Sequence, residues 1–211
     1  MNVPAVRAIL RGLGVASWVF LGTNPNDVTA QQAMKSIRQQ VHEPGGYERI
    51  VVTSYDPIPL SELVGRADLI VEASTPGGRS SLNQTETDIF TDYTFDVHSV
   101  IKNRRRPEFR AGQTITIRRN SGTVFIDGRA AMMHENGFPP FNTNEHYILF
   151  LIERPHGQGY SVFGGPHGAF TAGERITTLA TPSNDGAEPT PSMSRAAFLG
   201  EVRALLQYSD N

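Results

Sequence analysis

The sequence predicts a mainly β protein: a small, closed, antiparallel OB-like barrel of five to six strands over residues 58–175, with a C-terminal amphipathic helix and a helical N-terminal segment. Three observations carry this reading. Residues 89–98 and 114–118 alternate apolar and polar side chains with period two, as half-buried strands do. Residues 147–152 are continuously apolar, as expected of a strand covered on both faces. Glycine and proline clusters punctuate these runs, and no helical pattern separates most of them, which argues for closure into a barrel.

The N-terminus reads in two ways. Arg7 and Arg11 precede an apolar run from Leu13 to Leu21, with no acidic residue before Asp27. A basic start followed by a short apolar stretch is the form of a secretory signal, and the run is too short for a membrane-spanning helix. The other reading is an N-terminal helix that packs on the barrel. Residues 1–26 are assigned to this signal or helix, and residues 27–57 to a helical and linking segment. Within the latter, Ala30, Ala33, Met34, Ile37 and Val41 recur at helical spacing behind Asp27 as N-cap. Pro57 to Gly65 reads as a single helical turn, opened by Pro59 and closed by Gly65.

Strands begin at Ala67, where Leu69, Val71 and Ala73 alternate with Asp68, Ile70 and Glu72. Next come Ile89, Thr91, Tyr93, Phe95 and Val97 on one face, with Phe90, Asp92, Thr94, Asp96 and His98 on the other. Ile115 and Ile117 mark a third strand, 122–128 a fourth, 147–152 a fifth, and 160–163 a last short one. The core predicted from this alternation is Leu69, Val71, Tyr93, Phe95, Val97, Ile115, Ile117, Ile148, Phe150 and Val162, with Asp92, Asp96 and His98 outside. Residues 176–193 read as a linker, centred on the proline-rich run Thr181–Pro191. Residues 194–211 carry the helix: Phe198, Leu199, Val202, Leu205 and Leu206 share one face, capped by Ser192 or Ser194.

Composition excludes some chemistry. The 211 residues contain no cysteine, so disulfides, thiolate metal sites and a cysteine nucleophile are ruled out. A net charge of -2 points to neither a polyanion nor a polycation partner. Motifs add little. Gly12-x-Gly14 follows no strand and lacks the third glycine of a dinucleotide fingerprint; His134-Glu135 is followed by Phe138 where a zinc protease needs histidine. No Gly-x-Ser-x-Gly elbow exists, and Glu86 with Asp88 reads as a solvated face. His98, His146, His156 and His167 are scattered, although His156 and His167 flank one short strand and could converge on a metal. No catalytic residue, cofactor site or metal site is therefore assigned. Asn83-Gln84-Thr85 matches a glycosylation sequon.

One charge cluster stands out. Lys102, Arg104, Arg105, Arg106 and Arg110 run on toward Arg118 and Arg119, with Glu108 the sole acid among them. These first five form the candidate contact for an anion or a partner. Oligonucleotide-binding barrels use this region. Against that use, Asp92 and Asp96 on the adjoining strand repel phosphate, and Phe90 alone offers a ring there, so a solvated basic loop is preferred to a nucleic-acid site.

Leu60-Ser61-Glu62-Leu63, Ala67-Asp68-Leu69-Ile70-Val71, Tyr93-Thr94-Phe95-Asp96-Val97, Glu145 to Leu151 and Gly164 to Phe170 together resemble a family of uncharacterised, mostly exported bacterial β-barrel proteins. In topology the pattern also looks like the netrin-type barrel of the tissue inhibitors of metalloproteinases. Those act through an N-terminal cysteine, which this chain lacks, so the resemblance implies a fold and an exported location but no chemistry. Asn103 and Asn144 stand where the family has glycine, and both tolerate a left-handed turn. The sequence thus points to an exported, periplasmic, envelope or secreted, non-catalytic binding or interaction module; it identifies no partner, a protein being the candidate, with nucleic acid disfavoured and no membrane span. The alternatives are a nucleic-acid barrel using residues 102–119 and a hydrolase with loop histidines and carboxylates.

Overall fold

A computed structural model describes residues 35–104, 108–180 and 193–209. The N-terminal signal or helix, the Asp27 cap and the proline-rich run lie outside the described residues. Contacts divide the chain after Lys35, and everything below concerns the unit Ser36–Asn211. In chain order the elements are α1 (Ile37–Gln40), β1 (Tyr47–Val51), α2 (Leu60–Arg66), β2 (Leu69–Ser74), β3 (Gly78–Leu82), β4 (Ile89–Asn103), β5 (Thr114–Arg119) and β6 (Gly122–Ile126). Then follow β7 (Arg129–Glu135), β8 (His146–Glu153), β9 (Tyr160–Val162), β10 (Ala169–Ala172), β11 (Arg175–Thr178), β12 (Met193–Ser194) and α3 (Arg195–Ser209).

Five strands close a barrel in the circular order β2-β4-β5-β9-β8. Neighbours are antiparallel except β5 and β9, which run parallel and meet at the single pair Ile117 and Tyr160. Period-two alternation fills the interior: Leu69, Val71, Phe95, Ile117 and Leu149 are fully buried, with Tyr93, Val97 and Ile115 beside them. Every member of the predicted core is buried except Val162, which is half-covered on its short strand. Phe141 drops from the β7–β8 loop onto Tyr93, Phe95 and Tyr147, with ring centroids 5.1 Å away in each case and edge-on geometry. The Tyr147 hydroxyl fastens that loop, accepting from the Asn142 N–H and donating to Glu145.

A second core lies outside the barrel. Ile70, Ile148 and Phe150 face away from the interior and are buried against α2, α3 and the β10–β11 hairpin. This explains why β8 has no polar face. It also turns Ile70, expected on the wet side of β2, into a core residue. Phe198 and Val202 of α3 are buried here, and Ser194 caps the helix by accepting from the Ala197 N–H. β11 pairs with β10 through Thr178, so the sheet continues past the expected boundary at residue 175.

A third core joins α1 and a small sheet ordered β1-β7-β6. Ser36 and Gln39 form a capping box at α1, while Ile37 and Val41 pack on Tyr47 and Met133. The segment 27–57, expected to be helical and linking, thus has a helical turn at Ile37–Gln40 and contributes Tyr47 to a core. The single turn expected at 57–65 runs one residue longer, to Arg66, with Gly65 inside it.

Candidate functional site

β5 floors a shallow groove of about 510 Å3. Its outward residues Thr114 and Thr116 are exposed, and Arg118 stands beside Asp92 at one side. The opposite wall is the turn Gly157–Gly159 leading into Tyr160, and Phe109 adds a second ring. The wall comes close because Gly159 has no Cβ. With φ at +81°, a Cβ built there would lie 2.5 Å from the Thr116 carbonyl oxygen.

Arg118 is the most constrained group in the groove. Its Nε and Nη2 donate to the two carboxylate oxygens of Asp92, at 2.6 Å each. The guanidinium also lies over the Phe90 ring, 3.8 Å from its centroid. Donating these hydrogen bonds to Asp92 pushes the arginine pKa above its ordinary value. Antiparallel register creates the arrangement, since Asp92 is paired directly with Arg118. Sequence reading treated the two separately, as a repulsive acid and the tail of a basic run. Cross-strand pairing makes them one neutral, planar unit.

The basic cluster separates. Lys102 is buried: its ammonium donates to the carbonyls of Val64 and Gly65 at the C-terminus of α2, a favourable place for a cation. It is no loop residue, because β4 runs through Asn103, and Lys102 pairs with Ile70 on the side of the sheet that the second core covers. Assigning Lys102 to partner contact is corrected accordingly. Arg104 and Arg110 are exposed on either side of the loop, and Arg105 and Arg106 lie outside the described residues. Arg119 points inward, only 3% exposed at its side chain, and pairs with Glu135 at 2.9 Å under the rings of Phe138 and Phe141. Tyr55 donates to the same carboxylate, and burial first, then that bond, pushes its phenol pKa well up.

The histidines meet in an unexpected combination. His98 and His146 stack with centroids 4.8 Å apart and planes 22° apart, and His98 Nε2 lies 2.8 Å from the Ser74 hydroxyl. Ser74 is paired with both Asp96 and His146, which is why the two imidazoles meet over it. No spacing rule could have found this, since the three residues come from three strands. His167 instead lies against the Tyr55 carbonyl oxygen, and the His156 side chain lies outside the described residues. Among the described residues no group of three or more candidate ligands could hold a metal. The sequon asparagine is internally committed: Asn83 accepts from the Thr87 and Asp88 N–H groups and donates to the side chains of both.

No family model matches the chain, and no curated protein matches it in sequence. Among the described residues no helix is long and apolar enough to cross a membrane.

Proposed function

We propose that the protein is an exported, non-catalytic binding module that holds an extended segment of a protein partner in the groove along β5. The observation that carries this is the Arg118–Asp92 pair on Phe90: it makes a rigid floor without net charge. Nucleic acid needs unpaired cations along its phosphates. Here the cation is already neutralised, and Asp96 adds a carboxylate on the same face. Exposed hydroxyls of Thr114 and Thr116, with the half-buried ring of Phe109, suit the polar backbone and alternating side chains of a peptide. The strand order β2-β4-β5-β9-β8 supports an OB-like reading, in which the second and third barrel strands and the loop between the last two form the binding face. Export rests on the Arg-flanked apolar run Leu13–Leu21.

Selection of random octapeptides on the protein and on a Thr116→Trp variant tests the groove. Enriched peptides should lose about tenfold or more in affinity on the variant, equivalent to about 1.4 kcal/mol. Peptides indifferent to that substitution would remove the groove from the proposal. Binding of an oligothymidine that falls steeply with salt would favour the nucleic-acid alternative. The hydrolase alternative draws on the Ser74–His98 contact alone. Labelling of Ser74 by a fluorophosphonate probe, absent in His98→Ala, would favour it.

A further inference from the structure

The second core is not filled to its edge. Between α2, α3 and the β10–β11 hairpin lies a partly enclosed crevice of about 120 Å3. Leu63, Phe170, Ile176 and Phe198 form its inner wall, with Ile58 and Met193 toward the rim. Three polar side chains meet it: Thr178, His167 and Glu201. The Thr178 hydroxyl is already occupied, donating to the Pro166 carbonyl at 3.1 Å and accepting from the Ala180 N–H at 3.2 Å.

His167 is likewise engaged: its Nε2 lies 3.3 Å from the Tyr55 carbonyl oxygen, which can only accept, so Nε2 donates. Glu201 is the polar group left over. Glu201 is exposed on α3 and makes no ion pair among the described residues; an ionised carboxylate accepts and never donates. An apolar interior with an acceptor at its rim rejects a carboxylate ligand and suits an apolar body with a donating, positively charged head.

We propose that this crevice is a binding site for a small primary amine whose apolar part is about one aromatic ring in size. A closed apolar cavity of about 150 Å3 holds a benzene ring; this crevice is smaller but open at its rim, so a single ring with one edge left in solvent is the largest body it takes. The site is separate from the β5 groove and stands or falls independently of it.

Calorimetric titration of the full chain with benzylamine, benzyl alcohol and benzoate tests the assignment, with the Met193 methyl resonance reporting the location. Benzylamine should saturate, shift that methyl, and bind about tenfold or more tighter than benzyl alcohol, with benzoate weakest. Glu201→Gln, an exposed substitution that leaves the core untouched, should bring benzylamine down to the level of the alcohol and leave the alcohol unchanged. Benzylamine that fails to saturate, leaves the Met193 methyl unmoved, binds no tighter than the alcohol, or ignores Glu201→Gln would overturn it.

Discussion

Phe95 illustrates how a single side chain is committed here: fully buried, it is met edge-on by Phe141 at 5.1 Å and Tyr147 at 6.0 Å. Truncation to alanine should cost about 3–5 kcal/mol, the lost transfer energy plus an unfilled cavity, as measured by urea denaturation. Arg119 is committed differently. Its removal leaves the Glu135 carboxylate, 11% exposed, with no cation beside it. Arg119→Ala should therefore cost about 3–5 kcal/mol, while Arg119→Met combined with Glu135→Gln should recover much of that. Tyr55 and Tyr147 give the alkaline signature. Burial, the largest cause for each, raises both phenol pKa values, so the folded state keeps protons that the unfolded chain releases. Their contribution is fully present below about pH 10 and is lost as pH rises from there through the folded values. Tyr55→Phe and Tyr147→Phe should each flatten the loss of stability above about pH 10 in melts across that range. Alternation in the sequence revealed Phe95, but it could not reveal Arg119 or Lys102, whose charges are satisfied by carbonyls distant along the chain.

At the scale of elements, β4, β5 and β8 were legible because their own composition decides their period. β3 and β7 were not. Gly78–Leu82 and Arg129–Glu135 have polar or small residues at most positions, and become strands because β4 and β6 present edges to them. β1 pairs with β7 in parallel, a nonlocal contact with no turn signal between the two. α3 was legible from its apolar stripe, and its cap resolves to Ser194. Ser194→Ala should lower stability by about 1 kcal/mol, read from the thermal midpoint. The approach of Thr116 demands Gly159, a requirement set by a distant strand and therefore without a local signal in the sequence. Gly159→Ala should cost about 1–3 kcal/mol from strain at its positive φ, with the clash adding to that, and should widen the groove.

For the molecule as a whole, the closed barrel followed from strand count and turn spacing, whereas two further cores did not. Their residues, such as Ile70 and Tyr47, lie where the sequence shows a polar face or a linker. The candidate groove was not legible: the sequence offered the basic run as a contact, whereas the Arg118–Asp92 floor arises from cross-strand register. The proposal of export carries its own whole-chain test. Protein from its native host should begin after the Leu13–Leu21 run by intact mass, and a chain starting at Gln31 should melt as the mature protein does. A native chain that retains Asn2, with a melting temperature that falls on truncation, would withdraw the location.

The barrel's closure by a single residue pair, Ile117 with Tyr160, gives it a seam. Every other junction of the ring is a ladder of three or more residues. Thermal opening should therefore start at this junction, and amide protons of β5 and β9 should exchange with deuterium sooner than those of β2. Opening there would unmask two strand edges at once, each able to capture a strand from another copy. This short junction is thus where crowding and heat would turn one chain into a template for the next.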